Sequence, residues 1–177
     1  MIMKPRRQGD PTEPFPLADR YRTNTLVDYG KNFVEVVAEL GICMPSCTRD
    51  ITVLPTTERS GVKEIRIVPF YFWGDSPTVA EVLETFNVMG YRAAEAIELL
   101  HFMKNNPYFP EVFKPDVDRT FLGVALGSIH EGTYWADALS ASRSFSNDNE
   151  VSVGLVVASM DNKPWNNTLF LAVQGTD

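Results

Sequence analysis

Phe121-Leu122-Gly123-Val124-Ala125-Leu126-Gly127-Ser128-Ile129, Val151-Ser152-Val153-Gly154-Leu155-Val156-Val157 and Leu169-Phe170-Leu171-Ala172-Val173 are the runs on which the fold turns. They are short, rich in β-branched or aromatic residues, and bounded by Gly, Asn, Asp and Ser, which is strand punctuation. Three strands are expected between residues 120 and 174. The segments between them differ in kind. Ser140-Ala141-Ser142-Arg143-Ser144-Phe145-Ser146-Asn147-Asp148-Asn149 and Met160-Asp161-Asn162-Lys163-Pro164-Trp165-Asn166-Asn167 are polar, with an isolated Phe in one and a Trp in the other. Such segments cannot supply a core, but they suit a surface that touches a partner.

Upstream, Lys63-Glu64-Ile65-Arg66-Ile67-Val68-Pro69-Phe70-Tyr71-Phe72 alternates polar and apolar residues, the pattern of a first long strand. Asp75-Ser76-Pro77 offers an N-cap candidate and an early proline ahead of Val79, Val82, Leu83 and Phe86, and Gly90 ends that helix. Residues 93–106 place Ala93, Ala96, Ile97, Leu100 and Met103 on one face of a second helix, which Pro107 and Pro110 terminate. One strand, two helices and a run of strands contain no βαβ alternation. The expected class is therefore α+β, with two helices packed on a mainly antiparallel twisted sheet. Residues 25–40 carry Leu26, Val27, Phe33, Val34, Val36, Val37 and Leu40 at spacings compatible with one helical face stopped by Gly41. Their β-branched content leaves a strand as the alternative. Residues 1–24 are proline-rich, mixed in charge and aperiodic, so they are expected to be extended or partly disordered ahead of a single domain over 25–177.

The chain's 177 residues, 44% apolar and 22% charged, describe an ordinary globular protein with enough length for a sizeable core. A net charge of −7, with no basic cluster beyond Lys4, Arg6 and Arg7, lacks the footprint of a nucleic-acid binder. No apolar run approaches the roughly 18 residues that span a bilayer, and the first nine residues lack the apolar core of a signal peptide. A soluble protein without membrane insertion is expected, in a virion or the cytoplasm.

Catalytic patterns are sparse. Ser128 and His130 would share a strand face, but no G-x-S-x-G elbow accompanies them. His101, between Leu100 and Phe102, reads as a packing histidine. Glu81, Glu84, Glu95 and Glu98 fall at helical spacings suited to a solvated face. Gly123, Gly127, Gly132 and Gly154 lack the spacing of a phosphate-binding loop and mark turns and bends. Cys43 and Cys47 form a C-x3-C pair that suits half a metal site, a local disulfide or two small apolar fillers; without further soft ligands the fillers are the plainer reading and no metal is expected there. Asp148, Asn149, Asp161 and Asn162 offer oxygen donors that suit calcium, although not at EF-hand spacing. No catalytic residue and no cofactor is assigned, with calcium kept as the alternative.

Several short stretches resemble a known family, the C-type-lectin-like variable proteins of diversity-generating retroelements, found in phages, archaeal viruses and small-genome microbes. They are Asp50-Ile51-Thr52, Ile65-Arg66-Ile67-Val68-Pro69-Phe70, Gly90-Tyr91-Arg92-Ala93-Ala94-Glu95-Ala96-Ile97-Glu98-Leu99-Leu100, Val124-Ala125-Leu126-Gly127-Ser128 and Phe170-Leu171-Ala172-Val173. The likeness covers roughly residues 41–174 and lacks the Gly-Gly-Ser-Trp type of motif seen in some members. It implies a C-type-lectin-like fold whose C-terminal part, about 130–174, is a hypervariable region. Its codons are diversified at adenines, a process that favours Asn, Ser and Asp. The implied function is non-enzymatic binding of a macromolecular ligand, a protein or a cell-surface glycan. The ligand surface expected on this basis comprises Tyr134, Ser140, Ser142, Ser144, Asn147, Met160, Asp161, Asn162, Trp165 and Asn166, with Tyr134 and Trp165 as anchors. Two alternatives stand beside it. One is a lectin-fold enzyme acting on a protein side chain through Cys43, Cys47 or His130, and the other is a structural virion or assembly protein.

Overall fold

The computed structural model describes residues 14–41, 58–72, 77–110, 122–131, 136–143, 151–158 and 168–175; residues 122, 129–131, 136–143 and 151–158 are described by backbone and pairing. Its organising element is the pair formed by β3 (Val62–Phe72) and β8 (Thr168–Gln174), antiparallel with Ile67 opposite Val173 and Tyr71 opposite Leu169. β8 and the second half of β3, residues 67–72, are continuous apolar runs because both their faces are covered, whereas the first half of β3 alternates. Ile67, Leu169 and Leu171 pack on one side with the helices α1 (Phe33–Leu40) and α3 (Ala96–Asn105). On the other side, Val68, Phe70 and Phe170 meet Val79, Val82 and Phe86 of α2 (Val79–Val88). The strand period of two sends alternate residues to opposite helical layers.

The remaining strands extend this centre. β1 (Pro14–Pro16) and β2 (Asn24–Asp28) both pair antiparallel with β3. They share one edge, since the Pro69 carbonyl accepts from Leu17 N–H at 2.9 Å while Ile67 N–H donates to the Thr23 carbonyl at 2.8 Å. Residues 67 and 69 point their backbone groups the same way. Pro69 is tolerated in this central strand because its missing N–H faces the short β1. On the far edge of β8 lie β4 (Tyr91–Ala93), antiparallel, and β5 (Leu122–Glu131), parallel. β6 (Ala136–Arg143) and β7 (Val151–Ala158) complete the order β1-β3-β8-β5-β6-β7, with β2 on β3 and β4 on β8.

Among the described residues the class is α+β, as expected, with three α-helices where two were expected on the sheet, and the sheet is mixed but mainly antiparallel, β5–β8 being its parallel pairing. Residues 25–40, expected as one helical face with a strand as the alternative, hold both, β2 first and α1 after it. Residues 24–28 are a strand with Thr25 and Val27 buried and Leu26 62% exposed, a period of two. Gly30 N–H donates to the Asp28 carboxylate, turning the chain, and Asn32 with Glu35 forms a capping box that starts α1 only at Phe33. Gly41 does stop the helix, at φ +65°.

Two other boundaries move. α2 is capped by Thr78, whose hydroxyl accepts from Glu81 N–H at 3.2 Å, with Pro77 directly before the cap; Asp75 and Ser76 lie outside the described residues. The helix expected from Ala93 starts at Ala96, because Tyr91–Ala93 are taken by β8 as β4. Ser140 and Ser142 belong to β6, not to a loop. The strand was missed because Ala136-Asp137-Ala138-Leu139-Ser140-Ala141-Ser142-Arg143 has low strand propensity. Its ladder is fixed from both sides, by β5 and by β7.

Candidate functional site

β5 is irregular where it passes α3. Its pairing with β6 jumps from Ala125/Leu139 to His130/Asp137, and the intervening residues serve the helix. Gly127 N–H donates to the Ala94 carbonyl at 2.8 Å, and a Cβ at Gly127 would lie 2.7 Å from the Ala93 carbonyl oxygen. Glycine is required there by space. The buried Ser128 hydroxyl accepts from Ala96 N–H at 3.0 Å, satisfying a donor at the start of α3. That bond accounts for Ser128 structurally; the side chain of its suggested partner His130 lies outside what is described.

α3 then places a carboxylate in the core. Ala96 through Met103 are all buried, and Glu98, expected on a solvated face, is 0% exposed. Its Oε2 accepts from Arg92 Nη1 at 2.8 Å and from Glu95 N–H at 2.6 Å. Its Oε1 accepts from Arg92 Nη2 at 2.6 Å, from Arg59 Nη1 at 3.2 Å and from the Tyr29 hydroxyl. Arg59 also pairs with Glu95 at 3.0 Å and lies 6.0 Å from the Tyr29 ring centroid. A buried carboxylate without partners costs several kcal/mol, so Glu98 stands only because five donors converge on it. Burial and then the Glu98 carboxylate push the Tyr29 hydroxyl up to about 12, which keeps it a donor. Burial opposes the charge on Arg92, yet Glu98 holds its guanidinium above its usual pKa.

On its outer side this cluster borders a half-open cleft of about 500 Å³. Arg59 and Arg92 form part of its wall with side chains about one third exposed (34% and 33%). Lys63 and Tyr91 line it as well, together with Gln174 at the end of β8. The Glu98 oxygens are fully engaged on the inside, so the chemistry presented to the cleft is that of positively charged donors.

A second feature lies at the opposite end of β8. Thr168 sits beside Leu122 of β5, Leu122 beside Ser142 of β6, and Ser142 beside Ser152 of β7. This row runs across four strands at about 5 Å per step. Ser142 is in it and Ser140 is two residues along β6. Ser144, Asn147, Trp165 and Asn166, with Tyr134, Met160, Asp161 and Asn162, lie outside the described residues. The described neighbours divide them. Arg143, Val151 and Thr168 adjoin the row, whereas Glu131, Ala136 and Ala158, which flank the Tyr134 and Met160 segments, pair at the far end of β5, β6 and β7. That end is about 20 Å away along the strands.

His101 is buried on α3 and its Nε2 accepts from Asp28 N–H at 3.4 Å, the packing role expected. Burial, then Lys104, lowers its pKa. Cys43, Cys47, Asp148 and Asn149 lie outside the described residues, among which no group of three or more His, Cys, Asp or Glu could hold a metal ion. No helix among the described residues is long and apolar enough to cross a membrane.

Glu98 and Arg92 are the residues the sequence reading missed. A signal was present: Ala96-Ile97-Glu98-Leu99-Leu100-His101-Phe102-Met103 is apolar all round, so any charge within it must be buried and partnered. Comparisons with family models, curated proteins and solved structures find no match to this chain.

Proposed function

We propose that the chain is a non-enzymatic ligand-binding protein of the C-type-lectin-like variable type. In this reading the β3–β8 centre and its helices form a rigid scaffold. The polar segments 144–150 and 161–167 contact a macromolecular ligand, a protein or a cell-surface glycan. The observation that carries the reading is the row Thr168–Leu122–Ser142–Ser152. It puts Arg143 and Val151, which flank segment 144–150, and Thr168, which follows segment 161–167, at one end of the sheet. Short Ser, Asn and Asp side chains exchange hydrogen bonds without disturbing strands behind them, and Trp165 supplies stiff contact area at low entropic cost. The element order also supports it. A first long strand, β3, is followed by two helices, α2 and α3, and by strands of which the last, β8, returns antiparallel to β3. The register places Ser142 in the row and Ser140 two residues along β6 from it; the other residues of the expected surface lie outside the described residues.

A display library randomised at Ser142, Ser144, Asn147, Trp165 and Asn166, selected against unrelated folded proteins, tests the proposal. Saturable binders that keep the parental melting curve are expected. A library whose members lose protease resistance would place these residues in the framework and overturn it.

A further inference from the structure

We propose that the cleft beside Glu98 is a second ligand site, one that takes a carboxylate-bearing small molecule or sugar. Three cations reach it from two parts of the chain: Arg59 and Lys63 from the segment that enters β3, and Arg92 from β4. Convergence of this kind needs a reason, because like charges repel and the chain as a whole is acidic at −7. The Glu98 carboxylate provides part of it. Its bidentate bond fixes the plane of the Arg92 guanidinium, and its contact with Arg59 brings a second cation to the same wall. A guanidinium held from behind by a buried acid is pre-oriented towards whatever meets its exposed edge.

The charges set the class of ligand. Arg59 and Arg92 are offset by Glu95 and Glu98 behind them, and the two exposed charges on the rim, Lys63 and Glu64, are opposite in sign; Lys63 has no salt-bridge partner among the described residues. With three charges of each sign the site has no net charge to offset a phosphate dianion, and a single carboxylate needs less compensation from Lys63 and the guanidinium edges. The remaining wall is that of a polar-ligand pocket: Tyr29 and Tyr91 give ring surface, while Asn87 and Gln174 give amides suited to hydroxyl groups. Gln174 already accepts from Arg66 at 2.9 Å through Oε1, which leaves its amide nitrogen as a donor. The cleft lies at the Gln174 end of β8, about 20 Å from the Thr168 end where the proposed variable surface is anchored. It is a site of the scaffold and stands or falls independently of that surface.

Titration of the ¹⁵N-labelled full chain with sodium glucuronate, acetate, glucose and phosphate at constant ionic strength tests the proposal. Saturable shifts at the Gly90, Arg92 and Gly175 amides are expected with carboxylates at millimolar concentration. Glucuronate tighter than acetate would assign an acidic sugar, and equal affinity a small organic acid; glucose should leave the spectrum unchanged. Lys63→Glu should weaken carboxylate binding about tenfold or more. It should keep the parental spectrum elsewhere, because Lys63 is exposed and forms no salt bridge among the described residues. No saturable shift by about 20 mM glucuronate, the same affinity in Lys63→Glu, or a preference for phosphate would overturn the assignment.

Discussion

α3 and β6 both belong to the framework, yet they are held there by opposite means. α3 buries every residue from Ala96 to Met103, a carboxylate included, and its place is set by side-chain packing and by the donors around Glu98. β6 has alanine and serine where a core strand has valine and leucine, and its place is set by hydrogen-bonded neighbours on both edges. A helix specified by packing tolerates little change. A strand specified by its ladder can vary its side chains, because the backbone bonds persist whatever the residue. In the proposed reading, the contrast separates a part of the chain whose chemistry is fixed by packing from a part that can differ.

The largest effect should come from the packed side of this comparison. Leu100 is fully buried between α3 and the sheet, so Leu100→Ala should destabilise the protein by about 2–5 kcal/mol in urea titration. A midpoint equal to that of the parent would mean that α3 is not held by packing. Glu98→Gln should follow at about 2–3 kcal/mol. That is less than removal of one partner from a wholly buried pair, because Arg59 and Arg92 are one third exposed and can hydrate. If Glu98→Gln instead raises stability, the ion cluster is retained for something other than folding, and the cleft becomes the stronger explanation.

A smaller effect sharpens the same side. The Tyr29 hydroxyl titrates at about 12 in the folded chain against an ordinary 10.0, because burial and Glu98 disfavour the phenolate. Its contribution to stability is complete below pH 10 and is lost as pH rises through 12. The stability difference between the parent and Tyr29→Phe should therefore shrink across that interval. A difference that stays flat to pH 12 would show that the hydroxyl is not bonded to Glu98.

Much of the scaffold was legible in the sequence. The β3 alternation, the apolar periodicity of α2 and the Leu169-to-Val173 run each report a face that must be buried, and burial leaves a pattern. Three features were not, for physical reasons. Residues 24–40 hide two elements because Leu26 and Val27 fit a helical face as well as a strand, and the Asn32–Glu35 cap decides between them. β6 is invisible because pairing is a property of its neighbours. Glu98 was placed in solvent because helical spacing locates a charge without weighing the residues around it. At the candidate ligand surface, the sequence supplied composition, and the pairing register supplied what composition cannot: which segments end side by side. It sets Ser142 beside Leu122 and Leu122 beside Thr168, and it puts Ala136 and Ala158 at the other end.

The claim that the polar segments are exchangeable while the scaffold is not meets its most direct test in urea denaturation of one variant, Asn147→Ala/Asn162→Ala/Asn166→Ala. Stability within about 1 kcal/mol of the parent, with an unchanged m-value, is the predicted result, as for ordinary surface substitutions. A loss comparable to that of Leu100→Ala would contradict the account, because these asparagines would then be structural turns on which the sheet depends.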